Sequence, residues 1–150
     1  MVAIESPERS TAAATAGRRL MTAEEFLLLP ESLNKRELVN GEVVELSPVS
    51  ARHAAIQSRL DRRLGSFAEQ KRLGEVIVEG GFKLRRNPDL VRAADVAFIS
   101  AEQLRQAPLG SGFYEGHPDL AVEIVSPGDK ATDIEEKVLS YLAVGTRLVW

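Results

Sequence analysis

The chain has no cysteine, one tryptophan and two tyrosines in 150 residues. Without cysteine there is no disulfide framework, no thiolate metal site and no thiol nucleophile. The shortage of aromatics, with Trp150 as the only tryptophan, removes the stacking platform a sugar-binding cleft would need. No run approaches the roughly 20 consecutive apolar residues of a membrane-crossing helix. The first twenty residues are rich in Ala, Ser, Thr and Arg and lack an apolar stretch, so they read as a disordered leader rather than a secretory signal. These absences are compatible with a cytoplasmic protein with no membrane partner.

What is present is enough apolar material, 44%, for one globular domain over residues 21–150. The net charge of −3 argues against coating nucleic acid by bulk attraction, yet the charge is unevenly placed. Residues 52–92 carry ten Lys/Arg against five Asp/Glu, while the other 109 residues carry nine against seventeen. A basic middle on an acidic chain is either a solvated helix face with a polar hairpin or a surface that meets phosphates.

Thr22-Ala23-Glu24-Glu25 is a capping box that opens a short helix, stopped by Pro30. Residues 36–46 read as a β-hairpin turning at Asn40-Gly41, a dipeptide suited to two positive-φ positions. From Ser50 to about Arg72 runs the longest helical pattern, with Ala55, Ile56, Leu60, Leu64 and Phe67 as its buried stripe. A second hairpin is expected between residues 75–79 and 82–85 around Gly80-Gly81. A strand headed by Asp95, a short helix at 101–105 and a Gly-rich loop follow. Then come a strand over 120–125, a helix over about 132–143 capped by Asp129 or Thr132, and a last strand cut off at Trp150. That ending predicts a chain truncated at its C-terminus. The order of elements predicts an α/β (α+β) domain with a mixed central sheet flanked by helices, its final strand–helix–strand unit parallel.

Two charges are misplaced in this pattern. Glu123 interrupts Leu120–Val125, apolar on both faces, and Asp95 heads the apolar run Val96–Ile99. A carboxylate so placed is costly to desolvate unless paired, protonated or bound to a cation. If the two strands are neighbours, Asp95 and Glu123 meet on one face near a sheet end. Two hard oxygen ligands with open positions suit Mg²⁺ or Mn²⁺. On the following helix Lys137 borders the Ile134/Val138/Tyr141 stripe, so its ammonium can extend toward the acids. The same residues also fit a purely structural pair, Lys137 with Glu123, with Asp95 capping a turn.

The stretches Arg36–Glu42, Ser50–His53, Val91–Phe98 and Asp119–Asp129, followed by Glu136-Lys137, closely resemble the Uma-type endonucleases of the PD-(D/E)XK nuclease superfamily. The resemblance runs from about Thr22 to Trp150. It implies a restriction-endonuclease-like fold and a Mg²⁺- or Mn²⁺-dependent endodeoxyribonuclease, with Asp95 and Glu123 as metal ligands and catalytic acids. It implies a catalytic place for Lys137, moved to the helix from the position of Val125. It also makes Glu37 a further catalytic acid and metal ligand, and His53 a helix-start residue facing the nucleic acid. Ala94 and Arg36 depart from the family's Pro and aromatic without removing an acid or the lysine. DNA is the implied partner, with Arg52, His53, Arg59, Arg62, Arg63, Lys83, Arg85 and Arg86 as phosphate contacts, and double-strand cleavage would suit a homodimer. The alternative of a different class is a catalytically idle nuclease fold used for binding or assembly.

Overall fold

The computed structural model describes residues 19–150, so the leader expected over 1–20 lies, up to residue 18, outside the described residues. Helix α1 (Ala23–Leu27) starts as expected. The Thr22 hydroxyl accepts from the Glu25 N–H, and the Glu25 carboxylate accepts from the Thr22 N–H in return. Strands β1 (Arg36–Val39) and β2 (Glu42–Glu45) form the first hairpin, with Asn40 and Gly41 at φ 53° and 78°. Both central residues at positive φ is what lets the turn follow the strands' twist.

Helix α2 (Ala51–Lys71) has Ser50 as its N-cap and ends on left-handed Arg72. Its buried side is the expected stripe turned toward Gln57 and Ala68, the two buried residues: Ile56, Leu60 and Leu64 are half-buried, whereas Ala55 and Phe67 face outward. Gln57 on this side makes two hydrogen bonds inward, described below. Strand β3 (Gly74–Val78) follows at once. Gly74 sits at φ 150°, and a Cβ there would lie 2.0 Å from the Ile99 carbonyl oxygen.

The second expected hairpin does not form. Strand β3 pairs with β6 (Val96–Ser100), whereas β4 (Gly81–Arg85) pairs with β5 (Leu90–Ala93) and with β7 (Tyr114–Glu115). Glu79, at φ 55°, and Gly80 carry the chain from one sheet to another instead of folding it back. The mixed sheet is therefore built as two: five strands in the order β2-β1-β5-β4-β7, and four in the order β3-β6-β8-β9. Strands β8 (Leu120–Val122) and β9 (Leu148–Val149) are parallel, joined by helix α4 (Ala131–Leu142), as expected for a strand–helix–strand unit. The cap of α4 differs. Lys130 takes the N-cap without a side-chain bond, because the Asp129 carboxylate already accepts from the Ser126 N–H at 2.7 Å.

Two of the links between the sheets are short, at residues 79–80 and at residues 94–95. Gln57 ties the crossings together, donating to Glu79 Oε1 at 3.1 Å and to the Asp95 carbonyl at 2.9 Å. The main core joins Phe82, Leu84, Leu90, Ala97, Ile99, Ala121 and Tyr141, and α1 packs Phe26 over Leu38 and Val91 as a second cluster. Helices α2 and α3 (Ala101–Gln106) cover β3 and β6. Among the described residues no helix is long and apolar enough to cross a membrane.

Candidate active site

Strand β8 is shorter than expected and ends at Val122, so Glu123 stands just past it rather than in its middle. The antiparallel register pairs Val96 with Val122. One step outward, Asp95 and Glu123 are therefore opposite each other on one face. The same logic places Glu37: Leu38 pairs with Val91, so Glu37 stands across from Arg92. The two sheets bring these pairs together at the crossing point.

Lys137 joins them. Its Nζ lies 2.7 Å from Glu123 Oε2 and 3.2 Å from Glu37 Oε1. Glu37, fully buried, accepts in addition from Arg92 Nη1 at 2.9 Å and from the Ala93 N–H at 3.1 Å. Arg92 reaches on to Glu136 Oε1 at 3.0 Å. Asp95, on the β5–β6 link, receives the Ile124 N–H on Oδ2 at 2.7 Å and Lys35 Nζ on Oδ1 at 3.2 Å. His53 Nε2 is also 3.2 Å from Asp95 Oδ2, without hydrogen-bond alignment, while its Nδ1 lies 3.4 Å from Ser126 Oγ.

One lysine shared between two acids treats them unequally. Burial pushes Glu37 upward, but Lys137 and Arg92 outweigh it and hold the carboxyl below its ordinary 4.5. Burial pushes Glu123 upward as well, and there Lys137 alone does not compensate. With Asp95 and Glu37 adding like charge, its carboxyl stays above 4.5. Burial disfavours the Lys137 ammonium, yet Glu37 and Glu123 hold it charged, above the usual lysine value. Tyr141, also fully buried, is pushed well above its usual value by burial and by the negative Glu123 and Glu37.

Whether these residues suit a divalent cation can be judged from their donors. Among the described residues no group of three or more His, Cys, Asp or Glu side chains is gathered closely enough to hold a metal alone. Mg²⁺ does not need such a cage, since one or two carboxylates with waters and substrate phosphate complete its shell. Asp95 and Glu123 meet that requirement. Glu123 Oε1 is buried without a hydrogen bond of good geometry. The Tyr141 hydroxyl, equally buried and equally without one, lies near the same carboxylate as a neutral donor, so the oxygen can still take an electropositive partner. Glu37, by contrast, has both oxygens engaged by Arg92, Lys137 and the Ala93 N–H.

The expected residues thus divide. Asp95, Glu123, Lys137 and Glu37 converge, and His53 turns inward to Asp95 rather than outward to a nucleic acid. Arg52, Arg59, Arg62 and Arg63 are exposed on α2. Lys83 is not on that surface: it is buried, paired with Glu24 at 2.8 Å and with Glu115. Arg85 donates to Asn40, and Arg86 pairs with Glu24 at 2.9 Å, so both lie with the other sheet. The sequence reading missed Lys35 and Arg92. Arg92 carries a usable signal, a charge inside an otherwise apolar strand.

The sequence model of the Uma2 family, described as "Putative restriction endonuclease", matches residues 23–150. No curated protein matches. Among solved structures, a crystal structure of a "putative nuclease belonging to DUF820" from Anabaena variabilis superposes with a TM-score of 0.72 at 24% identity. The match covers 87% of this chain and 72% of that one, and at this identity it establishes the fold.

Proposed function

The chain belongs to the Uma2 family of restriction-endonuclease-like proteins, and from that membership we propose that it is a metal-dependent endonuclease hydrolysing DNA phosphodiester bonds. The observation that carries this reading is Glu123. One of its oxygens is held by Lys137 and the other is buried without a hydrogen bond of good geometry, across the β6–β8 ladder from Asp95.

Asp95 and Glu123 would hold the cation, Mg²⁺ or Mn²⁺. When bound, such an ion neutralises charge on the scissile phosphate and lowers the pKa of its water. Lys137 keeps its proton because two carboxylates face it, so its ammonium is a fixed donor toward charge that develops beside Glu123. Glu37, itself clamped by Arg92, acts through Lys137 by fixing where that ammonium sits. Its family place as a direct ligand is better met by Glu123, which has an oxygen without a hydrogen bond, than by Glu37, whose two oxygens are both engaged. Arg52, Arg59, Arg62 and Arg63 supply phosphate contacts that position the duplex without reading sequence. A cytoplasmic homodimer fits cutting of both strands, which size-exclusion chromatography with and without duplex DNA would check.

The test is plasmid nicking by the full chain with Mg²⁺ or Mn²⁺. Nicking that EDTA abolishes and that Asp95→Asn, Glu123→Ala and Lys137→Ala each remove is the expected result. Variants as active as the parent would overturn the assignment. One observation favours the second reading, an idle fold that binds. Both acids already face ammonium groups, Asp95 with Lys35 and Glu123 with Lys137. That reading predicts DNA binding indifferent to EDTA and to Asp95→Asn.

A further inference from the structure

Lys35 has no place in the scheme above, yet it touches the residue the scheme depends on. Its Nζ lies 3.2 Å from Asp95 Oδ1, and the two side chains are only 14% and 8% exposed. The other oxygen, Oδ2, is taken by the Ile124 N–H, with His53 Nε2 nearby. Oδ1 is therefore the oxygen Asp95 has to offer an incoming cation, and an ammonium already sits on it.

The two site lysines are held differently. Lys137 is anchored on a helix between two carboxylates. Lys35 is on the connector that leads into β1 and faces one carboxylate oxygen. It also lines an open cavity of about 680 Å³ whose other lining residues include Phe26, Val91 and Phe113 and the polar Glu31, Asn34 and Glu79. A four-carbon stem swinging into open space costs little packing, and its ammonium can be hydrated there. A divalent ion beside Asp95 would repel the ammonium from one side while the cavity admits it on the other.

We infer that Lys35 is an exchangeable counter-ion of Asp95. It occupies the Oδ1 seat until a divalent cation takes it, and it withdraws into the adjoining cavity when the cation binds. Part of the intrinsic affinity for metal is then spent on displacing Lys35, so the apparent affinity is set by this residue. The inference rests on reading Asp95 as a metal ligand.

The experiment is calorimetric titration of Mn²⁺ into the full chain in its parent, Lys35→Met, Lys35→Gln and Lys35→Arg forms. Melting scans accompany each to show that it is folded. The expected result is binding tighter by about tenfold or more in the two neutral variants, with Lys35→Arg close to the parent. Binding seen only in the neutral variants supports the inference in its strongest form. Equal or weaker binding in Lys35→Met and Lys35→Gln than in a parent that binds overturns the inference and leaves the metal reading standing. No Mn²⁺ binding in any of the four overturns both.

Discussion

Lys137 Nζ and Glu123 Oε2 are 2.7 Å apart, although they stand 14 positions apart in the chain with a turn between them. The β8–α4 connection makes this contact, by returning the helix over the end of the strand. The proximity gives Glu123 its cation, and gives the site a donor that is charged at any ordinary pH.

Lys137→Met should cut nicking by about two to three orders of magnitude, the usual cost of removing one donor aimed at developing charge. It should also destabilise the fold, because Glu37 and Glu123 would then face each other without the shared cation. Lys137→Arg keeps the charge but not the point geometry, so it should recover stability before it recovers rate. Single-turnover nicking beside urea denaturation would separate the two effects. A Met variant with parental rate would remove Lys137 from the chemistry.

Glu123 makes a pH-dependent prediction. Its carboxyl is held above 4.5, so the folded state binds this proton more tightly than the unfolded chain does. The stability associated with that proton is complete below about 4.5 and is lost as pH rises through the raised value. Glu123→Gln removes the loss. The variant should melt above the parent at neutral pH, with the gap closing toward pH 4, while nicking is abolished. In the variant Lys137 keeps Glu37 as its carboxylate, and Glu37 loses a like-charged neighbour. A variant that melts below the parent at pH 8 would contradict this account.

How much of this could be read from the residues depended on what each charge was doing in an apolar stretch. Asp95 and Glu123 were legible because short-stemmed acids in buried strands must have a reason to be there, and alternation fixed their common face. Lys137 was legible from helical phase only together with the family resemblance. Lys35 was not, since a long flexible side chain in a connector reaches in any direction. The pairing of β3 was missed for a related reason: Gly80-Gly81 suits a tight hairpin and a crossing between sheets equally well. Only the long-range register with β6 decides between them. The outward face of Phe67 and the inward hydrogen bonds of Gln57 are likewise not contained in local periodicity.

Glu37 and Arg92 form a buried pair, with side chains 0% and 6% exposed, and this predicts a strongly non-additive cycle. Glu37→Gln or Arg92→Met alone leaves one buried charge poorly compensated and should cost about 3–5 kcal/mol. The double variant leaves neither and should cost clearly less than the sum of the two. Chemical denaturation at pH 7 measures all four proteins. Additive losses would mean that the two side chains do not act as a pair.

The exposed arginines of α2 predict a salt dependence that distinguishes them from the basic residues of the other sheet. At 100° per residue Arg52, Arg59, Arg62 and Arg63 fall within an arc of ~100°, away from the side buried by Gln57 and Ala68. The row starts beside His53, so it leads from the acid cluster outward along the helix. Each arginine that meets a phosphate contributes a slope of about 0.9 to the fall of log affinity with log salt. Replacing Arg59 and Arg63 together by Ala should therefore weaken duplex binding at low salt and reduce the slope by about 2. Lys83→Met should leave the slope unchanged, because its ammonium is buried between Glu24 and Glu115. Fluorescence anisotropy of a labelled duplex across a salt series, with EDTA present to prevent cutting, gives both slopes. A slope lost with Lys83 and kept without the arginines would put the DNA on the opposite sheet.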